Sequence, residues 1–251
     1  MIIKKPLISL FIIIVLIHGM AAAQIVRVAA AANLQSVIEV LQKDFKQKTG
    51  VTIEIVTGSS GKMVAQITNG APFDVFLSAD TGFPQTLYKA GFASKKPVIY
   101  ALGSLIICST QNIDLSNWDT LLLTSGIDKV AIANPAIAPY GKAAEEVLVK
   151  KGIIDKVKPK IVYGESISQV NTYIATGVVN AGFTTQAFIK ENDNKTKLYY
   201  KVIDPKDYSP ILQAMVILKH GDNNPDAKKF FQYILSPAAK TIFKAYGYKM
   251  R

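Results

Sequence analysis

Residues 51–67 read VTIEIVTGSSGKMVAQI: a short alternating strand, a turn of small residues, and a helix. Thr57, Gly58, Ser59, Ser60 and Gly61 carry almost no side-chain bulk. They gather hydroxyls and bare backbone N–H groups at a helix start, where unpaired donors and the positive end of the helix dipole favour an anion. Lys62 invites comparison with a nucleotide phosphate loop, but GSSGK is too short for G-x-x-x-x-G-K-[ST], which excludes that class. Taken alone, the stretch is an ordinary capped helix. Its recurrence along the chain gives it weight.

Upstream, residues 25–29 form a strand that runs through Ala30, Ala31 and Ala32 to Asn33. Leu34, Val37, Ile38, Leu41 and Phe45 follow at helical spacing, with Asn33 where an N-cap belongs. Downstream, Asn69 and Gly70 end the second helix, and residues 73–78 are apolar enough for a strand buried in a parallel sheet. Asp74 and Asp80 bracket that strand, too far apart on an extended segment for a catalytic pair; they read as turn and capping groups. Residues 86–90 belong to a helix, and residues 98–109 form a long apolar strand region interrupted by Gly103. That glycine is either a bulge or the point where the chain leaves one domain for another. The β-α-β-α-β rhythm predicts a parallel α/β sheet.

Beyond Gly103 the pattern repeats. A short helix at residues 117–123 precedes the strand KVAIA at residues 129–133, then a turn in which Pro139 suits a first helical position. Tyr140 and Gly141 offer free N–H groups there. A strand at residues 160–163 leads through Gly164, Glu165 and the capping candidate Ser166 into a helix carrying Ile167, Val170, Tyr173 and Ile174. Residues 178–184 form a strand and a short helix surrounds Ala187, while the charged residues 190–197, with the sequon at Asn194, read as a surface loop. Residues 211–218 form a strand long enough to return to the first domain, and two helices follow, at residues 226–235 and from Ser236-Pro237 onward. Four strand-to-helix junctions thus stand out: Asn33, Ser60, Tyr140 and Ile167. In parallel α/β sheets such junctions lie at the carboxyl ends of the strands, where ligands bind at switch points of strand order. Two precede Gly103 and two follow it, so two facing lobes would enclose an anion between them.

The chain opens with Met1, Lys4, Lys5, an apolar run at residues 7–17, and Ala21, Ala22 and Ala23, the layout of a cleavable secretory signal covering residues 1–23. The run falls short of the roughly 20 apolar residues that span a bilayer. With Cys108 the only cysteine, there is no internal disulfide and no lipid-bearing cysteine at the mature end; it reads as a core thiol. A net charge of +11 is spread along the chain rather than gathered, and no nucleic-acid signature accompanies it, which assigns the charge to solubility and anion steering. Past the signal only His220 remains as a histidine, in a surface GDNN turn. That excludes a histidine-rich metal site, and without a G-x-S-x-G elbow a Ser-His-Asp triad has no serine.

The segments AAAANLQSVIEVLQKDF, VTGSSGKMVAQITNGAPFDVFLSAD and KVAIANPAIAPYGKAAEEVL, with the closing FFQYILSPAAKTIFKAYGY, resemble the periplasmic molybdate-binding proteins of ABC transporters. GAPFDVFLSAD and NP…PYGK-A-E carry the likeness most specifically. The resemblance implies the type II periplasmic binding protein fold: two α/β lobes, each a mixed, mostly parallel sheet flanked by helices, with the ligand cleft between them. It implies a first lobe from residues 24–103 and 209–251 and a second from residues 104–208. It further implies a monomer without catalytic activity or cofactor, capturing molybdate or tungstate for a membrane permease, with molybdenum bound as its oxyanion and no direct cation ligands. Asn33 would donate its side-chain amide and backbone N–H, Ser60 its hydroxyl and N–H, and Tyr140 and Ile167 their N–H groups. Ala32 and Ser59 are further contacts, Ser59 competing with Ser60. Thr185 stands where many members have a tyrosine, and its shorter side chain reaches the ligand through water or not at all. Many members also have serine in place of Asn33. The alternatives weighed against this reading are a receptor for sulfate or another tetrahedral oxyanion and, more distantly, an exported phosphate-ester hydrolase.

Overall fold

A computed structural model describes residues 25–193 and 196–250. Residues 1–23, read above as a secretory signal, and Asn194 of the sequon lie outside the described residues. The first half runs β1 (Val26–Ala31), a 3-10 turn (Ala32–Leu34), α1 (Gln35–Thr49), β2 (Ile53–Gly58), α2 (Ser60–Thr68), β3 (Val75–Leu77), α3 (Gly82–Lys89) and β4 (Val98–Leu102). The second runs β5 (Leu105–Ser109), α4 (Trp118–Leu121), β6 (Val130–Ala133), α5 (Pro139–Lys150), α6 (Ile154–Val157), β7 (Ile161–Gly164), α7 (Ile167–Ala175), β8 (Ala181–Thr185), α8 (Ala187–Asn192) and β9 (Tyr199–Val202). β10 (Leu212–Ile217), α9 (Pro225–Ile234) and α10 (Pro237–Ala245) close the chain.

The strands form two five-stranded sheets of matching design, β2-β1-β3-β10-β4 and β7-β6-β8-β5-β9. In the first, β1 pairs parallel with β2 and β3, whereas β10 runs antiparallel to β3 and β4. The second repeats this, with β6 parallel to β7 and β8 and β5 antiparallel to β8 and β9. Each sheet is therefore mixed and mostly parallel: four strands share one direction, and a single strand, β10 in the first and β5 in the second, runs against them. The parallel strands follow the βαβ rhythm of the sequence; the one reversed strand of each sheet enters where the chain changes sheet, a long-range event that local periodicity does not carry. Strand order reverses at β1 and at β6, because β2 and β7 lie on one side of them and β3 and β8 on the other. Such reversals open a crevice at the strands' carboxyl ends.

Alternation along β1 feeds two cores. Val26, Val28 and Ala30 face Phe45, Phe230 and Phe243, while Ala29 faces Met63, Ile67 and Phe76. A third core, with Trp118 edge-on to Phe183 at 5.4 Å, fills the second sheet's surroundings. Cys108 is buried there, and burial pushes its thiol far above the ordinary range, consistent with an inert core group. Gly103 lies between β4 of one sheet and β5 of the other, so it marks the crossing rather than a bulge. Its N–H donates to the Ile211 carbonyl at 2.9 Å, tying the outgoing and returning crossings together. A side chain has no room at this point: a Cβ would lie 2.2 Å from the Tyr140 hydroxyl.

Other expectations meet the structure unevenly. Ser166 and Ser236 cap α7 and α10 by accepting from Gln169 and Ala239 N–H. Pro139 occupies the first turn of α5. Asp80 accepts from Phe83 N–H at 3.1 Å at the start of α3, a capping role. Asp74 is not a turn group. It is fully buried, accepting from Arg27 N–H at 2.7 Å and facing His220 Nδ1 at 2.8 Å, so His220 is only half in solvent. Residues 190–192 belong to α8 rather than to a loop. Tyr199–Val202 forms an edge strand that the sequence did not reveal, because three of its four residues are exposed and no alternation marks it.

Candidate functional site: a neutral cavity between the two sheets

The junctions flagged in the sequence meet in space. Ala32, Asn33, Ser59, Ser60, Tyr140 and Ile167 line one cavity of ≈ 10 Å³, measured to the centre of a water-sized sphere, with Ala31, Ala79, Ala138 and Pro139 filling the wall. That is room for about one small species. β1 and β2 deliver the first three positions and α2; β6 and β7 deliver α5 and α7. The alanines bring backbone close to the cavity.

Three helix starts converge here. In α2 the Gly61 N–H donates across the cleft to Ile137 O at 3.0 Å and Met63 N–H returns to Ser59 O, leaving Ser60 N–H at the unpaired first turn. In α5 Pro139 has no N–H and Lys142 N–H reaches Ala138 O, leaving Tyr140. In α7 the Ser166 cap takes Gln169 N–H at 3.4 Å, leaving Ile167. The dipoles of these helices add positive potential at the same spot.

The two serines differ in their bonding. Ser60 Oγ accepts from Ala79 N–H at 3.1 Å, so its own proton is free to point elsewhere. Ser59 Oγ is buried without any partner, a state that costs about 1–3 kcal/mol and is relieved when an acceptor arrives. Both hydroxyls can therefore donate into the cavity. No charged side chain lines it, so what it offers an anion is neutral donors and helix ends.

Asn33 departs from expectation. It sits inside the 3-10 turn, and no side-chain bond caps the helix. Its Nδ2 turns away to Gln213 Oε1 at 3.0 Å and Tyr248 Oη at 3.1 Å, while Tyr248 Oη donates to the Asn33 carbonyl at 2.7 Å. Its Oδ1 is buried without a partner. The amide thus braces the cavity from behind, and the backbone N–H is what remains for a ligand. Gln213 is the centre of that brace: Tyr100 Oη donates to it at 2.9 Å, and its Nε2 donates to Tyr140 Oη at 3.2 Å across the cleft. Burial pushes the Tyr100, Tyr140 and Tyr248 hydroxyls above their ordinary range, so all three stay protonated in neutral solution. Thr185 is buried in β8 and is not among the residues lining the cavity. The sequence reading missed Gln213; a glutamine inside the apolar strand LQAMVI was the available signal.

Comparison with known proteins gives a consistent result. Residues 26–249 match the family model described as bacterial extracellular solute-binding protein. The chain is 35% identical over 232 residues to the molybdate-binding protein ModA of Azotobacter vinelandii, covering 92% of both chains. It is 38% identical to the molybdate-binding protein ModA of Rhodobacter capsulatus, covering 91% of this chain and 89% of that one. The solved structure of the Azotobacter vinelandii periplasmic molybdate-binding protein superimposes with a TM-score of 0.85, covering 90% of this chain and 99% of that one.

Proposed function

Because this chain belongs to the bacterial extracellular solute-binding proteins, alongside the molybdate-binding receptors of ABC transporters, we propose that it captures molybdate, and equally tungstate, in the neutral cavity. The family's role is binding rather than catalysis, and its members work outside the cytoplasm. The observation that carries the reading is the convergence of Ser59, Ser60, Tyr140 and Ile167, from both sheets, on a cavity without charged side chains. A dianion there is held by charge-assisted hydrogen bonds from neutral groups and by helix dipoles.

The donor set explains the selectivity expected of such a site. A protonated phosphate would bring an O–H that must find an acceptor in a wall made mostly of donors, and an unpaired buried donor is costly. Sulfate has no such proton and is rejected by size, since the smaller ion leaves some donors unfilled. Tungstate nearly matches molybdate and is accepted with it. The ion is cargo: the protein works as a monomer without a cofactor, is exported by the signal at residues 1–23, and hands the ion to a membrane permease. Lobe closure around the ion, with the crossings at Gly103 and Ile211 as the hinge, presents the loaded form.

Calorimetric titration of the mature protein, stripped of ion by unfolding and refolding, tests this with four anions in parallel. Tight one-to-one binding of molybdate and tungstate, with sulfate and phosphate weak or silent, is the expected result. Sulfate binding as tightly as molybdate would overturn the size argument, and silence towards all four would overturn the proposed ligand.

A further inference from the structure

At the rim of the cavity, Lys62 Nζ lies 2.7 Å from Glu165 Oε1. Lys62 stands two residues after Ser60 on α2, and Glu165 two residues before Ile167 at the entry to α7. The pair therefore bridges the two lobes over the site, and each member is tied to a helix start that forms it. Nearby, the Gly61 N–H to Ile137 carbonyl bond at 3.0 Å is a second contact between lobes. It depends on glycine, because a Cβ there would lie 2.9 Å from Ile137 Cβ. Ser168 Oγ to Gln35 Oε1 is a third. None of these groups needs a ligand to make its contact.

We infer that Lys62 and Glu165 form an electrostatic gate that separates capture from retention; the inference rests on the anion-binding reading above. With the lobes apart, Lys62 is a cation beside a cavity that has none of its own, and it draws the anion in. Glu165, on the opposite lobe, opposes entry. With the lobes together the two charges cancel, the rim closes, and the bound anion is left with neutral donors alone. Lys62 and Glu165 are positioning residues: both slow release, but they act on entry with opposite sign.

That opposition is the signature to measure. Stopped-flow association and dissociation of molybdate at several salt concentrations would be recorded for the wild type, Lys62→Gln, Glu165→Gln, the double variant and the exchanged pair Lys62→Glu/Glu165→Lys. Lys62→Gln should slow association by about three-fold and flatten its salt dependence, whereas Glu165→Gln should leave association equal or faster. Dissociation should quicken by about three-fold in both, with no further change in the double variant, as for a single exposed ion pair. The exchanged pair should recover slow dissociation while associating slowest. Gly61→Ala, which obstructs closure sterically, supplies the reference for an open rim.

Small-angle scattering of the ligand-free proteins gives a readout that does not depend on the ligand. Either single variant should shift the wild-type profile towards that of Gly61→Ala. Unchanged dissociation together with unchanged ligand-free scattering in both singles would overturn the gate, as would equal effects on association. A wild type that binds no molybdate yet shows the scattering shifts would fail the ligand assignment and keep the closure contact.

Discussion

Two spaces lie between the sheets, sharing Ala79 and Pro139 as a common wall, and they are opposites. One is the tight cavity of ≈ 10 Å³ with neutral walls. The other is a groove of ≈ 510 Å³ lined by Asp80, Lys142 and Glu146 among others. By volume and charge the groove is the more conspicuous. Its polar groups, however, already serve the fold: Glu146 accepts from Ser209 N–H at 2.7 Å, and Asp80 accepts from Ser78 Oγ and Phe83 N–H. An anion in the groove would meet two carboxylates and one ammonium. In the cavity it meets unpaired N–H and O–H groups and nothing negative. An oxyanion site is thus recognised by donors left unsatisfied by the fold, rather than by room or by a lysine.

Substitutions can break this contrast, and they rank by their effect on molybdate affinity. Ser60→Asp keeps an acceptor for Ala79 N–H but sets a carboxylate in the cavity; like-charge contact costs several kcal/mol, so affinity should fall by about a thousand-fold or more in calorimetry. Ser60→Ala removes one donor to a charged ligand, about 1.5–3 kcal/mol, or roughly ten- to hundred-fold. Ile167→Ala separates affinity from stability. The side chain is 3% exposed and packs in the core around the second sheet, so unfolding free energy should drop by about 2–5 kcal/mol. The affinity of the folded protein, which uses only the N–H, should stay within about three-fold by the same backbone argument.

In the groove the expected effects are smallest. Lys142→Ala should leave affinity within about two-fold, since solvent screens a charge there. Asp80 gives a pH test. Burial, opposed by its hydrogen bonds, raises its carboxyl above the ordinary 3.8, so the folded state holds the proton more tightly than the unfolded one. That contribution is fully present below pH ~3.8 and is lost as pH climbs through the raised folded value. Chemical denaturation at acid and neutral pH should show the wild type losing stability over this window relative to Asp80→Asn, with molybdate affinity at neutral pH unchanged.

The cavity's side of this contrast was legible in the sequence, and the reason is local. A small-residue turn between a strand and a helix is written in five or six consecutive residues, so the junctions at Ser60, Tyr140 and Ile167 could be found one at a time. Their convergence followed from the switch-point rule. What escaped depends on partners far away. The Asn33 amide is claimed by Gln213 and Tyr248, 180 and 215 residues distant, and no neighbouring residue foretells that. The single reversed strand of each sheet, β10 and β5, arises from the crossings, and β9 is an exposed edge without periodicity. Asp74 looked like a turn residue because its partners, Arg27 N–H and His220, lie in other elements.

Anomalous diffraction at the molybdenum edge from crystals grown with molybdate would locate the ion. A single strong peak is expected in the neutral cavity, within hydrogen-bonding reach, through its oxygens, of Ser60, Tyr140 and Ile167 N–H and a serine hydroxyl. A peak in the wide groove beside Lys142, with the neutral cavity empty, would contradict it.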